Sequence, residues 1–313
     1  MTPSRIRIAT RESNLAIWQA EWVRAQLLAA HPGIEVELIR MKTRGDRFLK
    51  APLSEIGGKG WFVKELEAAL QEDQADIAVH SMKDVPVSFP DGLGLAVICT
   101  RGDPTDALVV RRDIKASDLA GLPQRAHLGT ASLRRASQVR ALRPDMTTAP
   151  VRGNVETRLR KLDEGEFDAI VLASAGLERL GLASRITARL GPPQFLPAGG
   201  QGAVGIECRS GDHDVLEALR PLDDATTARC VRAERAVSRH LGGNCSVPLA
   251  AYAVVDGAEL ALRALVASID GRTVLHAEGR GTDPEALGTR VAESLLAAGA
   301  APLLEEAARL ADG

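Results

Sequence analysis

The sequence predicts an α/β protein of two similar lobes followed by a small C-terminal α+β domain, and three observations predict it. Strand and helix patterns alternate from Ile6 to Ala173; Leu162 to Gly176 repeats the pattern of Leu70 to Asp84 at a constant offset; and beyond Pro221 the chain changes to hairpin-linked strands. Alternation of this kind builds mainly parallel sheets, because a parallel connection needs a crossover helix.

In the first block strands are expected at 6–10, 35–41 and 77–80, with helices at 14–30 and 61–72. Phe62, Leu66, Ala69 and Leu70 give the i, i+4, i+7, i+8 stripe that docks a helix on a sheet, and Pro32-Gly33 stops the helix before it. The second block repeats the plan, with strands at 125–129, 146–151 and 169–173 and helices at 132–143 and 154–164. Within the repeat Asp76 matches Asp168, whereas Asp84 matches Gly176, so one lobe has a carboxylate that the other lacks. Leu196-Pro-Ala-Gly-Gly-Gln-Gly-Ala-Val-Gly205 reads as a crossing back to the first lobe, since no helix follows it and no Gly-Lys-Ser/Thr is present. A helix is then expected at 225–241, strands at 249–255, 259–267 and 273–280 with Asp256-Gly257 and Asp270-Gly271 as hairpin turns, and helices at 284–298 and 301–310. The expected boundaries are 1–100 with 200–220 for the first lobe, 101–199 for the second and 221–313 for the C-terminal domain.

Composition excludes several classes of function. A net charge of −2 over 313 residues gives no general attraction to nucleic acid or membrane, and 3% aromatic residues leave few platforms for stacking bases. The N-terminal residues carry no apolar signal-like run, and no apolar stretch reaches membrane-spanning length, so a cytoplasmic location is the expectation. No metal site is expected, because the six histidines are scattered without His-x-x-x-His or Cys-x-x-Cys spacing. His80 reads as a packed or hydrogen-bonded histidine rather than a base.

The candidate site starts from Lys83-Asp84, where an apolar strand runs into a charged pair and then meets Pro86. Proline ends regular pairing, which puts Asp84 at the carboxyl end of a strand, where open α/β sheets hold ligands; a solvated pair closing the strand is the alternative. Arginines fall where strands end and helices begin: Arg11 with Ser13, then Thr130, Ser132, Arg134 and Arg135, then Arg152, Gly153 and Asn154 with Arg158 one turn on. Helix starts carry free N–H groups and a positive dipole end, and guanidinium adds a bidentate fork, so the set suits a polyanion of carboxylates or phosphates. Cys99, Cys208 and Cys230 follow core patterns, whereas Cys245 stands in a glycine-led loop, free of any repeat. The charged stretch 42–60, ending Gly57-Gly-Lys59-Gly60, reads as a lid.

Two such lobes resemble the type II periplasmic-binding-protein architecture, with a ligand cleft between them. The motifs Ile8-Ala-Thr-Arg11-Glu-Ser13, Thr43-Arg-Gly-Asp46, Gly57-Gly-Lys-Gly60, Ala78-Val-His-Ser-Met-Lys-Asp-Val-Pro86, Gly129-Thr-Ala-Ser-Leu-Arg-Arg135, Arg152-Gly-Asn154, Gly200-Gln-Gly-Ala-Val-Gly205 and Cys245-Ser-Val-Pro248 carry a closer resemblance. In that order, and over nearly the whole chain, they resemble the porphobilinogen deaminase family. The resemblance implies a transferase that carries a dipyrromethane cofactor on Cys245 through a thioether. It joins four porphobilinogen molecules head to tail and releases hydroxymethylbilane by hydrolysis, and it acts as a monomer. It further implies that Asp84 is the catalytic carboxylate, and that Arg11, Ser13, Ser81, Lys83, Thr130, Ser132, Arg134, Arg135, Arg152, Gly153, Asn154, Arg158, Arg179 and Gln201 hold cofactor and substrate. Lys59 and Phe62 belong to the lid. Glu55, where relatives carry a basic residue, and Asn244, where a glycine is common, depart from the family pattern. A two-lobed anion-binding protein without catalysis is the rival reading; it would explain the repeat and the arginines but has no use for Cys245.

Overall fold

A computed structural model describes residues 3–42, 63–242 and 247–312. The chain divides into two compact units, Met1–Gly102 with Ala203–Ala228, and Asp103–Gly202 with Arg229–Gly313.

The first unit is built on a five-stranded sheet of β1 (Arg5–Arg11), β2 (Glu35–Met41), β3 (Ile77–Ser81), β4 (Leu93–Ile98) and β10 (Val204–Arg209), in the order β2-β1-β3-β10-β4. β1 is parallel to β2 and β3, while β10 runs antiparallel between β3 and β4. Alternation assigns the faces. Ile6, Ile8, Ile77, Val79, Val204 and Ile206 point to one side, where Ala20, Val23 and Leu27 of α1 (Asn14–Ala30) cover them. Ala9 and Ala78 point to the other, under Leu66, Ala69 and Leu70 of α2 (Lys64–Gln71).

The second unit holds β5 (Asp106–Val110), β6 (His127–Gly129), β7 (Thr147–Ala149), β8 (Ala169–Ala173) and β9 (Ala188–Leu190) in the order β7-β6-β8-β5-β9, with β5 antiparallel to both neighbours. Its helices are α3 (Leu133–Leu142), α4 (Val155–Asp163) and α5 (Ser174–Arg179). The two sheets thus share one topology, a parallel trio plus an inserted antiparallel strand and an edge strand. That is the type II periplasmic-binding-protein arrangement expected from the internal repeat. The same unit carries the three-stranded sheet of β11 (Leu249–Asp256), β12 (Glu259–Ala267) and β13 (Val274–Gly281), whose core is closed by α8 (Pro284–Ala297) and α9 (Ala300–Asp312). α6 (His213–Leu219) and α7 (Ala225–His240) complete the described elements.

The repeat extends to individual hydrogen bonds. Asp76 accepts the Arg7 N–H at 2.7 Å and returns its own N–H to the Arg7 carbonyl at 2.9 Å; Asp168 does the same with His127, at 2.8 Å in both directions. An arginine at the far end of the inserted strand then reaches each carboxylate, Arg209 at 3.3 Å from Asp76 and Arg111 at 3.4 Å from Asp168. These matched pins fix where the third strand of each sheet begins.

One set of positions breaks the symmetry. On the α2 side of the first sheet His80 Nε2 lies 3.0 Å from Glu207 Oε2, with both side chains buried, and Glu67 of α2 stands close enough for the Glu207 charge to reach it. Burial first, and then Glu207, raise the Glu67 carboxyl above its ordinary range. Glu207 Oε1 is buried without a hydrogen-bond partner among the described residues. The register puts Leu172, Val109 and Leu159 at the three equivalent places of the second unit, all buried and apolar. The fold itself therefore accepts hydrocarbon there. Replacing all three by the second unit's residues (His80→Leu, Glu207→Val, Glu67→Leu) should leave stability in chemical denaturation at or above wild type, whereas His80→Leu alone should cost about 3–5 kcal/mol by stranding Glu207. A triple variant weaker than the single one would contradict this.

Candidate functional site

The carboxyl edge of the first sheet gathers one group of candidates. β1 ends at Arg11, and Ser13 caps α1 by accepting the Ala16 N–H at 3.4 Å. β3, parallel to β1, ends at Ser81, whose Oγ accepts from the buried Gln19 of α1 at 2.9 Å. Met82–Asp84 then form a single 3-10 turn, closed by the Val85 N–H on the Met82 carbonyl at 3.2 Å, and Pro86 follows. Lys83 is half-buried and Asp84 exposed, so the carboxylate projects from a turn whose neighbour Met82 is buried.

The carboxyl edge of the second sheet gathers the rest. Beyond β6, Thr130 Oγ1 accepts the Ser132 N–H at 3.2 Å, and Ser132 caps α3 by accepting the Arg135 N–H at 3.4 Å. Arg134 and Arg135, in the first turn of α3, are buried and converge on Asp106, the first residue of β5. Arg134 takes it bidentately at 2.6 and 3.2 Å, and Arg135 Nε takes Oδ1 at 2.9 Å. Gln201 joins them, donating to Asp106 at 3.0 Å and accepting from Arg135 at 3.3 Å. Burial works to raise the Asp106 carboxyl, but the two guanidinium charges and their hydrogen bonds prevail and hold it far below the usual carboxylate range.

Two guanidiniums share this one carboxylate at a helix start. Nearby in sequence, Asn154 caps α4 by accepting the Thr157 N–H at 2.8 Å; Arg158 Nε donates to the Gly153 carbonyl at 2.8 Å, and Gly153 holds φ +114°. Arg179, in the last turn of α5, donates to the Gly202 carbonyl at 2.6 Å.

The structure therefore brings Arg134, Arg135 and Gln201 into one cluster and places Thr130, Ser132, Arg152, Gly153, Asn154, Arg158 and Arg179 along the same sheet edge. Arg11, Ser13, Ser81, Lys83 and Asp84 lie at the corresponding edge of the other unit. Ser13, Ser132 and Asn154 each spend a side-chain oxygen on a helix cap, a task that capping preference assigns to these residue types. Lys59, Phe62 and Cys245, and the stretch 43–60 of the expected lid, lie outside the described residues. Sequence reasoning missed Asp106; its one signal was a carboxylate opening the apolar run Asp106-Ala-Leu-Val-Val. His80 is buried and hydrogen-bonded, as the sequence suggested.

Fold and edges together define an α/β protein of the type II periplasmic-binding-protein class with arginines at helix starts. Among solved structures the chain is similar to the periplasmic VFT2 domain of BvgS from Bordetella pertussis (18% identity, TM-score 0.41, covering 69% of this chain and 85% of that one). It is also similar to the methionine-binding protein MetQ (13% identity, TM-score 0.46, covering 72% and 93%). Family models match much more of the chain: "porphobilinogen deaminase, dipyromethane cofactor binding domain" over residues 6–217 and "porphobilinogen deaminase, C-terminal domain" over 228–297. The chain belongs to the porphobilinogen deaminase family, transferases of porphyrin biosynthesis that use a dipyrromethane cofactor and take porphobilinogen as substrate. No described helix is long and apolar enough to cross a membrane.

Asp106→Asn should destabilise the protein by about 3–5 kcal/mol at neutral pH, because two buried guanidiniums lose their counter-charge. The native carboxyl is depressed, so its contribution is fully present above the unfolded value near about pH 4 and is lost as pH falls toward the native value. The stability gap between wild type and variant should thus hold from neutrality to about pH 4 and narrow below it in denaturation curves. A gap unchanged to about pH 2 would contradict the assignment.

Proposed function

We propose that this chain is a hydroxymethylbilane synthase: it deaminates four porphobilinogen molecules, joins them head to tail onto a dipyrromethane held on Cys245 by a thioether, and releases the linear tetrapyrrole by hydrolysis. The observation that carries this reading is the family match, which runs through both family domains over residues 6–217 and 228–297. It also argues against a protein that only clasps an anion. A monomer in the cytoplasm is part of the proposal.

The residues on the second sheet's edge fit the cofactor's chemistry. Each pyrrole carries an acetate and a propionate, and Arg134 and Arg135 gather on Asp106 beside the start of α3. Arg134, Arg135, Arg152, Arg158 and Arg179, with the N–H groups of the capped helices, would hold these carboxylates. The bound dipyrromethane supplies the pyrrole end on which chain growth begins.

In this reading Asp84 has the one chemical task. Its carboxylate accepts hydrogen bonds from pyrrole N–H groups and opposes the positive charge that develops on the substrate as ammonia leaves. The same oxygens can take up and return the protons that deamination and carbon–carbon bond formation move. The turn 82–84 presents this carboxylate to solvent, open to a ligand. Ser13, Ser81, Lys83 and Arg11 stand on the same edge as substrate-holding groups, and Lys59 and Phe62 belong to the proposed lid.

Asp84→Ala should abolish turnover, a loss of at least about 10²–10³ in kcat, with the fold retained by circular dichroism, and Asp84→Glu should be slow but active. A near-normal rate for Asp84→Ala would overturn the role. Intact-mass measurement of the purified chain should show an added dipyrrole that Cys245→Ser lacks; an unmodified yet active chain would overturn the cofactor assignment.

A further inference from the structure

Asp84 stands on a turn with a buried foot. Met82 is 1% exposed, although Lys83 and Asp84 beside it are not buried. Its N–H donates to the Ala203 carbonyl at 3.0 Å, tying the turn to the residue that precedes β10. Its side chain lies over Gly205, which pairs with His80 across the β3–β10 ladder. A Cβ on Gly205 would fall far inside van der Waals contact with Met82 Sδ, 3.3 Å from Met82 Cγ and 3.0 Å from Leu95 Cδ1. The φ angle of Gly205 is not in the left-handed region, so this position needs the absence of a side chain rather than backbone freedom.

The second sheet carries the same seam with the sizes exchanged. Ser174 follows β8 where Met82 follows β3, and Ala107 pairs with Leu172 where Gly205 pairs with His80. Beyond Ser174 the chain enters α5 with Gly176 in Asp84's place. A methionine over a bare backbone thus accompanies the carboxylate, whereas serine and alanine stand at the equivalent positions where the carboxylate is absent.

We propose that Gly205 is a positioning residue for Asp84: its bare backbone admits Met82, and the seated Met82 fixes the turn from which the carboxylate projects. This rests on the reading of Asp84 as the chemical carboxylate. A Cβ at 205 must move either the flexible Met82 side chain or the turn that carries it; in this proposal, with Met82 1% exposed and Leu95 Cδ1 also at 3.0 Å from that Cβ, the turn gives way. Misplacement of a reacting group by about 1 Å costs on the order of a hundredfold in rate.

Steady-state kinetics of Gly205→Ala test it. The expected result is a kcat lower by about ten- to a hundredfold, a smaller rise in KM because Lys83 rides on the same turn, and the covalent mass increment retained because the second sheet's groups are untouched. Val204→Ala is the matched control: Val204 is the next residue of β10 but faces the α1 core, so its truncation should lower the melting temperature and leave kcat in place. Should Gly205→Ala not fold, Met82→Ala empties the seat instead, and the same pattern is expected, a fall in kcat larger than the rise in KM, with Met82→Leu restoring most of it by filling similar volume. A Gly205→Ala or Met82→Ala variant as active as Val204→Ala would overturn the inference. Asp84→Ala keeps the two levels apart: if it is dead while Gly205→Ala runs at full rate, the seating idea alone fails, and if it is active, the underlying reading of Asp84 fails.

Discussion

Both five-stranded sheets are closed by an antiparallel strand inserted between two others, which the first sheet must take from beyond its own stretch of chain, and the candidate site depends on that constraint. β3 and β4 are separated in the first sheet by β10, which arrives only after the second sheet has been built; β8 and β9 are separated by β5, which precedes both. Each inserted strand is antiparallel to its neighbours and therefore begins at the edge where they end. That slot faces the helix starts, and the chain uses it twice in different ways. In the second unit it opens with Asp106, a buried charge that gathers Arg134 and Arg135. In the first it opens with Val204-Gly205, a bare stretch of backbone over which Met82 sits. One slot gathers the arginines proposed to hold anions, and the other shapes the backbone behind the carboxylate proposed to do chemistry.

The two buried ionic groups differ in what they require. Asp106 has two cationic partners, and their charges and hydrogen bonds hold its carboxyl far down. Glu207 has one imidazole and an acid neighbour, Glu67, whose carboxyl is pushed up by burial and by Glu207 itself. Buried ion groups seldom add net stability over well-packed hydrocarbon, and Leu172, Val109 and Leu159 demonstrate that this sheet topology packs without the second group.

Much of this was legible in the sequence because it rests on local or periodic signals. The repeat of Leu70–Asp84 in Leu162–Gly176 is also the repeat of β3 in β8, down to the paired bonds of Asp76 and Asp168, and it located Asp84 opposite Gly176. The family resemblance read from the motifs is borne out by the match over residues 6–217 and 228–297. β5, β9, α5 and α6 escaped notice because each is short: three to seven residues do not establish a period, and a run such as Asp106–Val110 can be a strand or a buried helical turn. The pairing of Arg134 and Arg135 with Asp106 joins residues far apart in sequence, so the arginines could be placed at a helix start but their partner could not be named. The seat under Met82 was hidden for the same reason, since a glycine in a glycine-rich segment gives no hint of which side chain needs its space.

The account's central claim is a division of labour in which Asp84 does the chemistry and the second sheet's arginines hold the acids. Intact-mass spectrometry of the chain exposed to porphobilinogen and quenched within a few turnovers tests it most directly. The wild-type chain should show a ladder of pyrrole additions above its resting mass, and Asp84→Ala should show no increment beyond the mass it carries as purified. A ladder in the Asp84→Ala variant would contradict the account.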